Sequence, residues 1–140
     1  MESYRVIHGG IFSDDRGDVR FVNDFDLKEV RRFYLISNSQ AAPLRAWQAH
    51  KVEKKWFYVT KGAFEVSIVR IEDWDHPESS NEIFRIRLTE DEPVVLYVPG
   101  GYANSLKSLS KDSCLQVYSN MTLEAAGNDQ FRFPEDTWIT

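Results

Sequence analysis

Cysteine is almost absent from this chain, and the single thiol, Cys114, lies in the apolar segment Cys114-Leu-Gln-Val-Tyr118. One cysteine cannot form an internal disulfide, and this setting favours a small buried core residue over a nucleophile. Chains without disulfides are typical of reducing compartments. We therefore expect a cytoplasmic protein.

Long apolar runs are also missing. No segment approaches the ~20 apolar residues that a membrane span requires. The opening residues Met1-Glu-Ser-Tyr-Arg5 contain neither the basic nor the apolar region of a signal peptide. We expect no membrane association and no export.

The chain also has no excess of basic residues. The chain has 17 Lys and Arg against 22 Asp and Glu, a net charge of −5. This balance argues against nucleic acid and anionic membrane surfaces as partners, although a local basic patch can still bind a phosphorylated ligand. The 140 residues, 42% of them apolar, predict one domain spanning 1–140.

Short segments in which apolar residues alternate with polar ones dominate the chain, and they predict an all-β fold. Gly62 divides two of these segments and is typical of a hairpin turn, because glycine adopts positive φ freely. A helix of one or two turns is predicted only at residues 25–31. The predicted strands cover residues 3–7, 18–22, 32–36, 44–50, 55–60, 63–71, 84–88, 94–98 and 115–119.

Three sequence blocks resemble a known family. They are Arg45-Ala-Trp-Gln-Ala-His-Lys51, Lys55-Trp-Phe-Tyr-Val-Thr-Lys-Gly-Ala-Phe-Glu-Val66 and Leu96-Tyr-Val-Pro-Gly-Gly-Tyr-Ala-Asn104. These blocks are similar to those of the RmlC-like cupins, which include dTDP-4-dehydrorhamnose 3,5-epimerases and dTDP-4-keto-6-deoxyhexose 3,4-ketoisomerases. The resemblance implies an antiparallel double-stranded β-helix, a jelly-roll barrel.

The resemblance also locates the four positions at which metal-binding cupins carry their ligands. In this chain they are Gln48, His50, Lys54 and Asn104. One imidazole, two amides and a cation are a poor ligand set for Zn²⁺, Fe²⁺ or Mn²⁺, which need several imidazole or anionic donors. We predict no metal and no other cofactor, and this disfavours the metal-dependent dioxygenase activity of other cupins.

The sugar chemistry of the family needs a base rather than a metal, because a 4-keto group acidifies the neighbouring C–H bond. Family epimerases use as base the histidine whose position is taken here by Gln48, and an amide cannot accept a proton near neutral pH. His50 lies two residues further along the strand, on the same face, and is our candidate catalytic base. The alternative is that His50 is a packed structural histidine.

The resemblance suggests further site residues. Tyr118 and Tyr34 match positions near catalytic tyrosines of the family, and either could supply a proton, although both could equally be structural. Arg45 and Lys55 match residues that bind the nucleotide diphosphate or the keto oxygen. Trp47 could stack on a sugar or base ring, or pack in the core.

Gln48 and Asn104 are expected to share one cavity with His50. Arg45 and Gln48, however, are three positions apart, so a regular strand would direct them to opposite faces. Both can line that cavity only if the strand contains a bulge or begins there.

Two functions follow from the resemblance. The first is a homodimeric epimerase or ketoisomerase acting on a nucleotide-linked 4-keto-6-deoxy sugar in surface polysaccharide biosynthesis. The second is a non-catalytic module that binds a nucleotide sugar or regulates a partner enzyme, because Gln48 and Asn104 replace histidines. A homodimer is expected because four tryptophans and nine phenylalanines give more aromatic surface than one small interior covers.

Overall fold

The computed structural model describes residues 2–139, which form twelve strands and one short helix. The strands are β1 (Arg5–His8), β2 (Gly10–Asp14), β3 (Gly17–Phe21), β4 (Arg32–Ile36), β5 (Leu44–His50), β6 (Lys55–Lys61), β7 (Ala63–Arg70), β8 (Ile83–Thr89), β9 (Val94–Val98), β10 (Tyr102–Ser108), β11 (Cys114–Ser119) and β12 (Phe131–Arg132). The helix α1 covers Leu123–Ala126, and 3₁₀ turns cover Pro77–Ser79 and Glu135–Thr137. The prediction of an all-β fold is confirmed.

Two five-stranded antiparallel sheets make up most of the fold. The first sheet has the order β1-β9-β6-β11-β4, and the second has the order β12-β5-β10-β7-β8. The remaining strands, β2 and β3, form a separate two-stranded hairpin. No helix among residues 2–139 is long and apolar enough to cross a membrane.

An apolar core lies between the two five-stranded sheets, because alternate residues of each strand point inward. We call it the inner core, and it consists of Phe57, Val59, Phe64, Val66, Ile68, Leu88, Val94, Leu96, Val98, Tyr102, Leu106, Leu115 and Val117. A second cluster, the outer cluster, covers the opposite face of the second sheet. It consists of Trp47, Ala49, Val69, Ile71, Ala103 and Trp138, so the C-terminal segment packs on this face.

The turn between β6 and β7 forms as the sequence predicts. Gly62 has φ +75°, and a Cβ at this position would lie 2.2 Å from the Oγ of Ser113. Both the backbone conformation and the close approach therefore require glycine.

The predicted helix at residues 25–31 is wrong. The carboxylate of Asp26 accepts a hydrogen bond from the backbone N–H of Lys28 at 2.9 Å, and this local bond forms a turn instead. The helix that does form begins after Thr122, whose hydroxyl caps it by accepting from the N–H of Ala125.

A bulge occurs where β5 meets β10. Asn104 lies opposite Gln48, and Leu106 lies opposite Arg45, so one residue of β10 faces two residues of β5. The extra residue changes the alternation between Arg45 and Gln48. Both side chains therefore reach the space between the sheets, which resolves the conflict in their spacing.

Candidate functional site

A cavity of about 830 Å³ lies between the two sheets. Its wall includes residues of β4 and β6 from the first sheet, and of β5, β10 and β12 from the second. The lining side chains that carry polar groups are Arg32, Tyr34, Ser37, Arg45, Gln48, Lys55, Asn104, Gln130, Arg132 and Glu135. A pocket of this size can hold a small organic ligand.

Positive charge dominates the cavity wall. Four basic residues line it: Arg32, Arg45, Lys55 and Arg132. Of these four, only Arg32 has a carboxylate partner in the described part of the chain, Glu53 at 3.2 Å. Arg45 instead donates from Nε to the side-chain oxygen of Asn38 at 2.7 Å. Cations without anionic partners in a confined space favour an anionic ligand.

Lys55 and Tyr34 form a pair in this wall. Lys55 is 5% exposed, and its Nζ donates a hydrogen bond to the Tyr34 hydroxyl at 2.8 Å. The guanidinium of Arg32 lies over the Tyr34 ring, 5.1 Å from its centroid. Lys55 and Tyr34 were both predicted for the site, and the structure brings these two side chains together. A positive group and a hydroxyl side by side can stabilise a developing oxyanion and supply a proton to it.

The expectation that His50 lines this cavity together with Gln48 and Asn104 is wrong, because the His50 side chain is buried and is not part of the lining. Its ring is buried, and Nδ1 is 2.7 Å from the backbone carbonyl oxygen of Asp129. A carbonyl oxygen only accepts, so Nδ1 donates, and Nε2 of the neutral ring has the lone pair. Within residues 2–139 no group hydrogen-bonds this buried Nε2. Burial, and then the nearby ammonium of Lys55, lower the pKa of His50 below its usual value, which favours the neutral ring.

Two acidic residues that the sequence did not single out hold this region together. Glu53 is 1% exposed and contacts Arg32, His50 and the Ser119 hydroxyl. The carboxylate of Asp129 accepts hydrogen bonds from the backbone N–H groups of residues 51, 52 and 53 at 2.7–2.9 Å. Burial opposes ionisation of Asp129, but these three donors lower its pKa below the usual value.

Gln48 and Asn104 lie opposite each other and both line the cavity, as predicted. The Gln48 amide donates a hydrogen bond to the side-chain oxygen of Gln130. No described residue hydrogen-bonds the side-chain amide of Asn104. Asn104 can therefore offer a free donor and a free acceptor to a ligand.

Two predicted site residues do not lie where their proposed roles require. Trp47 is among the residues that surround the cavity, but its side chain belongs to the outer cluster and is 1% exposed. Its indole N–H donates to the backbone carbonyls of Glu135 and Trp138. A ring so enclosed cannot stack on a ligand. Tyr118 lies on the outer face of the first sheet, where it packs against Phe25 and Phe33. The alternation of β11 therefore excludes Tyr118 from the cavity, because its neighbour Val117 takes the inward position.

Lys54, at the position where metal-binding cupins have a carboxylate ligand, also lies away from the cavity lining. The Nζ of Lys54 contacts the carboxylate of Glu29 at 3.0 Å, at the surface. In the part of the chain that the structure describes, no group of three or more His, Cys, Asp and Glu side chains could hold a metal ion. The donor set around Gln48 and Asn104 does not fit a divalent transition metal. That the protein works without a metal stays a prediction.

Comparison with known proteins identifies the fold. No protein-family model matches the chain, and a search of curated proteins gives no significant match. Among solved structures, it is similar to the 3'-monoepimerase ChmJ from Streptomyces bikiniensis in complex with dTDP-quinovose, at 17% identity and TM-score 0.78 over 96% of this chain and 72% of that chain. It is also similar to the TDP-quinovose 3,4-ketoisomerase WlaRB from Campylobacter jejuni, at 18% identity and TM-score 0.70 over 98% of both chains.

A third solved structure is similar to this chain to a comparable degree. It is the 3,4-ketoisomerase QdtA from Thermoanaerobacterium thermosaccharolyticum, as a double mutant in complex with TDP, at 17% identity and TM-score 0.74 over 99% of this chain and 93% of that chain. These neighbours span nearly the whole length of the chain. The chain therefore has the RmlC-like cupin fold that its sequence blocks predict.

Proposed function

We propose that this protein binds a nucleotide diphosphate-linked 4-keto-6-deoxy sugar and catalyses its epimerisation or ketoisomerisation. The observation that carries this proposal is the wall of cations without carboxylate partners, above all Arg45, Lys55 and Arg132. A diphosphate offers several negative oxygens that such groups bind through charge-assisted hydrogen bonds. The solved neighbours named above include an epimerase and ketoisomerases that act on or bind TDP-linked ligands.

The reaction follows from the chemistry of the residues. Nε2 of His50 accepts the proton of the carbon beside the keto group, and the electrons of that C–H bond form an enolate. Lys55 and Tyr34 stabilise the negative charge on the former keto oxygen. Return of a proton to the same carbon from the other face gives the epimer. In ketoisomerisation the enolate oxygen instead takes a proton from Tyr34 to give an enediol. The former keto carbon then gains a proton while the hydroxyl on the neighbouring carbon loses its own, which moves the keto group to that carbon.

The sugar must reach His50 for this chemistry to occur. Gln48 lies two residues before His50 on the same strand face and lines the cavity, and Lys55 lines it from the facing sheet. We place the sugar between these two residues, with the diphosphate toward Arg45 and Arg132. The sugar ring is then next to the strand that carries His50, whose buried Nε2 has no protein partner among residues 2–139.

Solvent deuterium exchange tests the catalytic proposal. The native protein should wash deuterium into C3 or C5 of a dTDP-4-keto-6-deoxyhexose, measured by NMR, and His50→Ala should slow this exchange by about 10²–10⁴-fold. His76→Ala, at an exposed histidine, is the control and should have no effect. Absence of exchange with the native protein, despite tight dTDP binding, would overturn the catalytic proposal.

A binding test isolates the cations from the catalysis. Arg45→Ala and Arg132→Ala should each weaken dTDP binding by about tenfold in calorimetry, which corresponds to ~1.4 kcal/mol. Arg16→Ala in the β2–β3 turn is the matched control, because Arg16 pairs with Asp14 at the surface. Equal affinity in all three variants would contradict the placement of the diphosphate.

A non-catalytic module is the second candidate function. It is favoured by Gln48, a neutral amide that is hydrogen-bonded to Gln130 at the position where family epimerases have their base. Such a protein would bind the nucleotide sugar through the same cations without changing it. Tight binding without deuterium exchange identifies this function.

We also propose that the protein acts as a homodimer in the cytoplasm. Strand β4 ends the order of the first sheet, and its outward residues Phe33 and Leu35 are 63% and 58% exposed. An open edge with exposed apolar side chains is costly in water unless a partner covers it. Sedimentation should give about 33 kDa, twice the 16.3 kDa chain, and Phe33→Glu should shift the protein to the monomer. A native monomer would overturn this proposal.

A further inference from the structure

The geometry assigns Glu53 as a positioning residue that orients the ring of His50 and compensates the charge His50 gains when it takes up a proton. This inference rests on the proposed function of His50 as a base, but the arrangement of the two side chains can be tested without any turnover. Glu53 follows β5 by three residues and is 1% exposed.

The two oxygens of the Glu53 carboxylate have different surroundings. Oε2 accepts a hydrogen bond from the Ser119 hydroxyl and one from Arg32 Nη2 at 3.2 Å. Oε1 is 3.2 Å from Nδ1 of His50, and no described residue hydrogen-bonds it. The carboxylate is therefore held in place from one side and leaves its other oxygen beside the imidazole.

Two oxygen atoms lie close to Nδ1 of His50, and one of them, the carbonyl oxygen of Asp129, is hydrogen-bonded to it. The carbonyl oxygen of Asp129 lies 2.7 Å from Nδ1, and Oε1 of Glu53 lies 3.2 Å from it. A carbonyl oxygen has no hydrogen to donate, so the hydrogen of the bond to Asp129 is on Nδ1. This fixes the tautomer in which Nε2 has the lone pair, as a base requires.

Charge explains why a carboxylate is needed here. The charged and titratable groups around His50 are Glu53 and Asp129 in the adjoining loops, Lys55 on β6, and Tyr102 opposite it on β10. A proton taken up by His50 places a cation near the ammonium of Lys55, which is unfavourable in a buried site. The negative charge of Glu53 offsets that repulsion, as the carboxylate of a catalytic triad stabilises the protonated form of its histidine.

Arg32 extends this arrangement to the cavity. It contacts Glu53 with Nη2, donates from Nε to the backbone carbonyl of Met121 at 3.1 Å, and lines the cavity beside Tyr34. Without Arg32 the Glu53 carboxylate would be buried with hydroxyl and imidazole groups but no permanent cation in contact. Arg32 therefore supplies the permanent positive charge in contact with this buried carboxylate.

Nitrogen-15 NMR of His50 in the ligand-free protein tests the assignment. The neutral ring of the native protein should have its hydrogen on Nδ1. Glu53→Gln keeps the side-chain volume and removes the charge, so the pKa of His50 should fall further. Glu53→Asp keeps the charge and should restore most of the native pKa. An unchanged tautomer and an unchanged His50 pKa in Glu53→Gln would overturn the proposal.

Kinetics supply the second readout. Exchange needs neutral His50, so the acidic limb of its pH profile should move to lower pH in Glu53→Gln, while the maximal rate falls by about 10²-fold. A purely structural role would lower the rate without moving the limb, and that result would contradict the assignment. If the native protein exchanges no deuterium but the NMR changes occur, Glu53 positions His50 and the catalytic function is what fails.

Discussion

The space between the two sheets has an apolar region and a polar region, and the same strands build both. On β6, Phe57 and Val59 enter the inner core, while Lys55, on the same face, lines the cavity. On β10, Leu106 belongs to the core and Asn104 offers a free amide to the cavity. One strand face thus changes from stabilising the fold to forming the site within a few residues. Substitutions in the two regions should therefore affect different properties.

The largest expected effect is in the apolar region. Leu88 is 1% exposed in the inner core, and Leu88→Ala should lower the free energy of unfolding by about 2–5 kcal/mol, because it leaves a cavity among packed side chains. Leu123→Ala removes the same atoms at an exposed position of α1 and should change stability by less than about 0.5 kcal/mol. Urea unfolding measures both. Similar values for the two variants would show that the core is not where the structure places it.

Asp129→Asn should have the next largest effect on stability. It weakens the charged acceptor of three backbone N–H groups, and we expect a loss of about 2 kcal/mol at pH 7. Because the pKa of Asp129 is lowered by folding, its contribution is present above the unfolded pKa of about 3.9 and is lost as the pH falls through the folded pKa. The difference between native protein and variant should therefore shrink at low pH. Asp91→Asn, at an exposed aspartate, is the control.

Lys55→Met should act in opposite directions on stability and binding. Replacing a buried cation without a carboxylate partner by an apolar side chain should raise the free energy of unfolding by about 1–2 kcal/mol. The same change should weaken dTDP binding by at least about tenfold. It should also raise the pKa of His50, because the Lys55 charge lowers it. Lys61→Met, at an exposed lysine, should do none of these, and a destabilised Lys55→Met would contradict the interpretation.

The smallest expected effect distinguishes the two tyrosines. Tyr118→Phe should leave deuterium exchange unchanged, because its hydroxyl accepts from the Gln116 amide on the outer face of the first sheet. Tyr34→Phe removes the hydroxyl that Lys55 contacts and should slow exchange by about 10²-fold. If Tyr118→Phe proves the slower variant, the outward position of Tyr118 does not describe the active protein.

Most of the fold could be predicted from local sequence. The bounds of β4, β5 and β9 agree with the prediction residue for residue, because apolar residues and clear turns delimit them. Strand β10 was missed, because its sequence Tyr-Ala-Asn-Ser-Leu-Lys-Ser has too few apolar residues for a simple alternation. Its inward positions include Asn104, which faces a polar cavity. Residues chosen for a site weaken the pattern by which strands are recognised.

The site itself could be predicted only in part. Strand alternation with a bulge accounts for Arg45 and Gln48. The same alternation, applied to Trp47 directly before Gln48, would have placed the Trp47 side chain on the opposite face of the sheet, in the outer cluster. Glu53 and Asp129 gave no such signal. The carboxylate of Asp129 binds backbone groups 76–78 residues earlier in the chain, and a contact of that range depends on the complete topology.

That long-range contact also has a consequence for how the protein is made. The carbonyl of Asp129 and its carboxylate hold His50 and the three residues after it, across separations of 76–79 residues. Contacts this distant in sequence form late, because loop closure must come first. A ribosome-bound chain can therefore complete much of the inner core while the ring of His50 is still free to rotate. If His50 is the base proposed above, its ring is held in place only after the C-terminal segment docks, so we expect no deuterium exchange by folding intermediates.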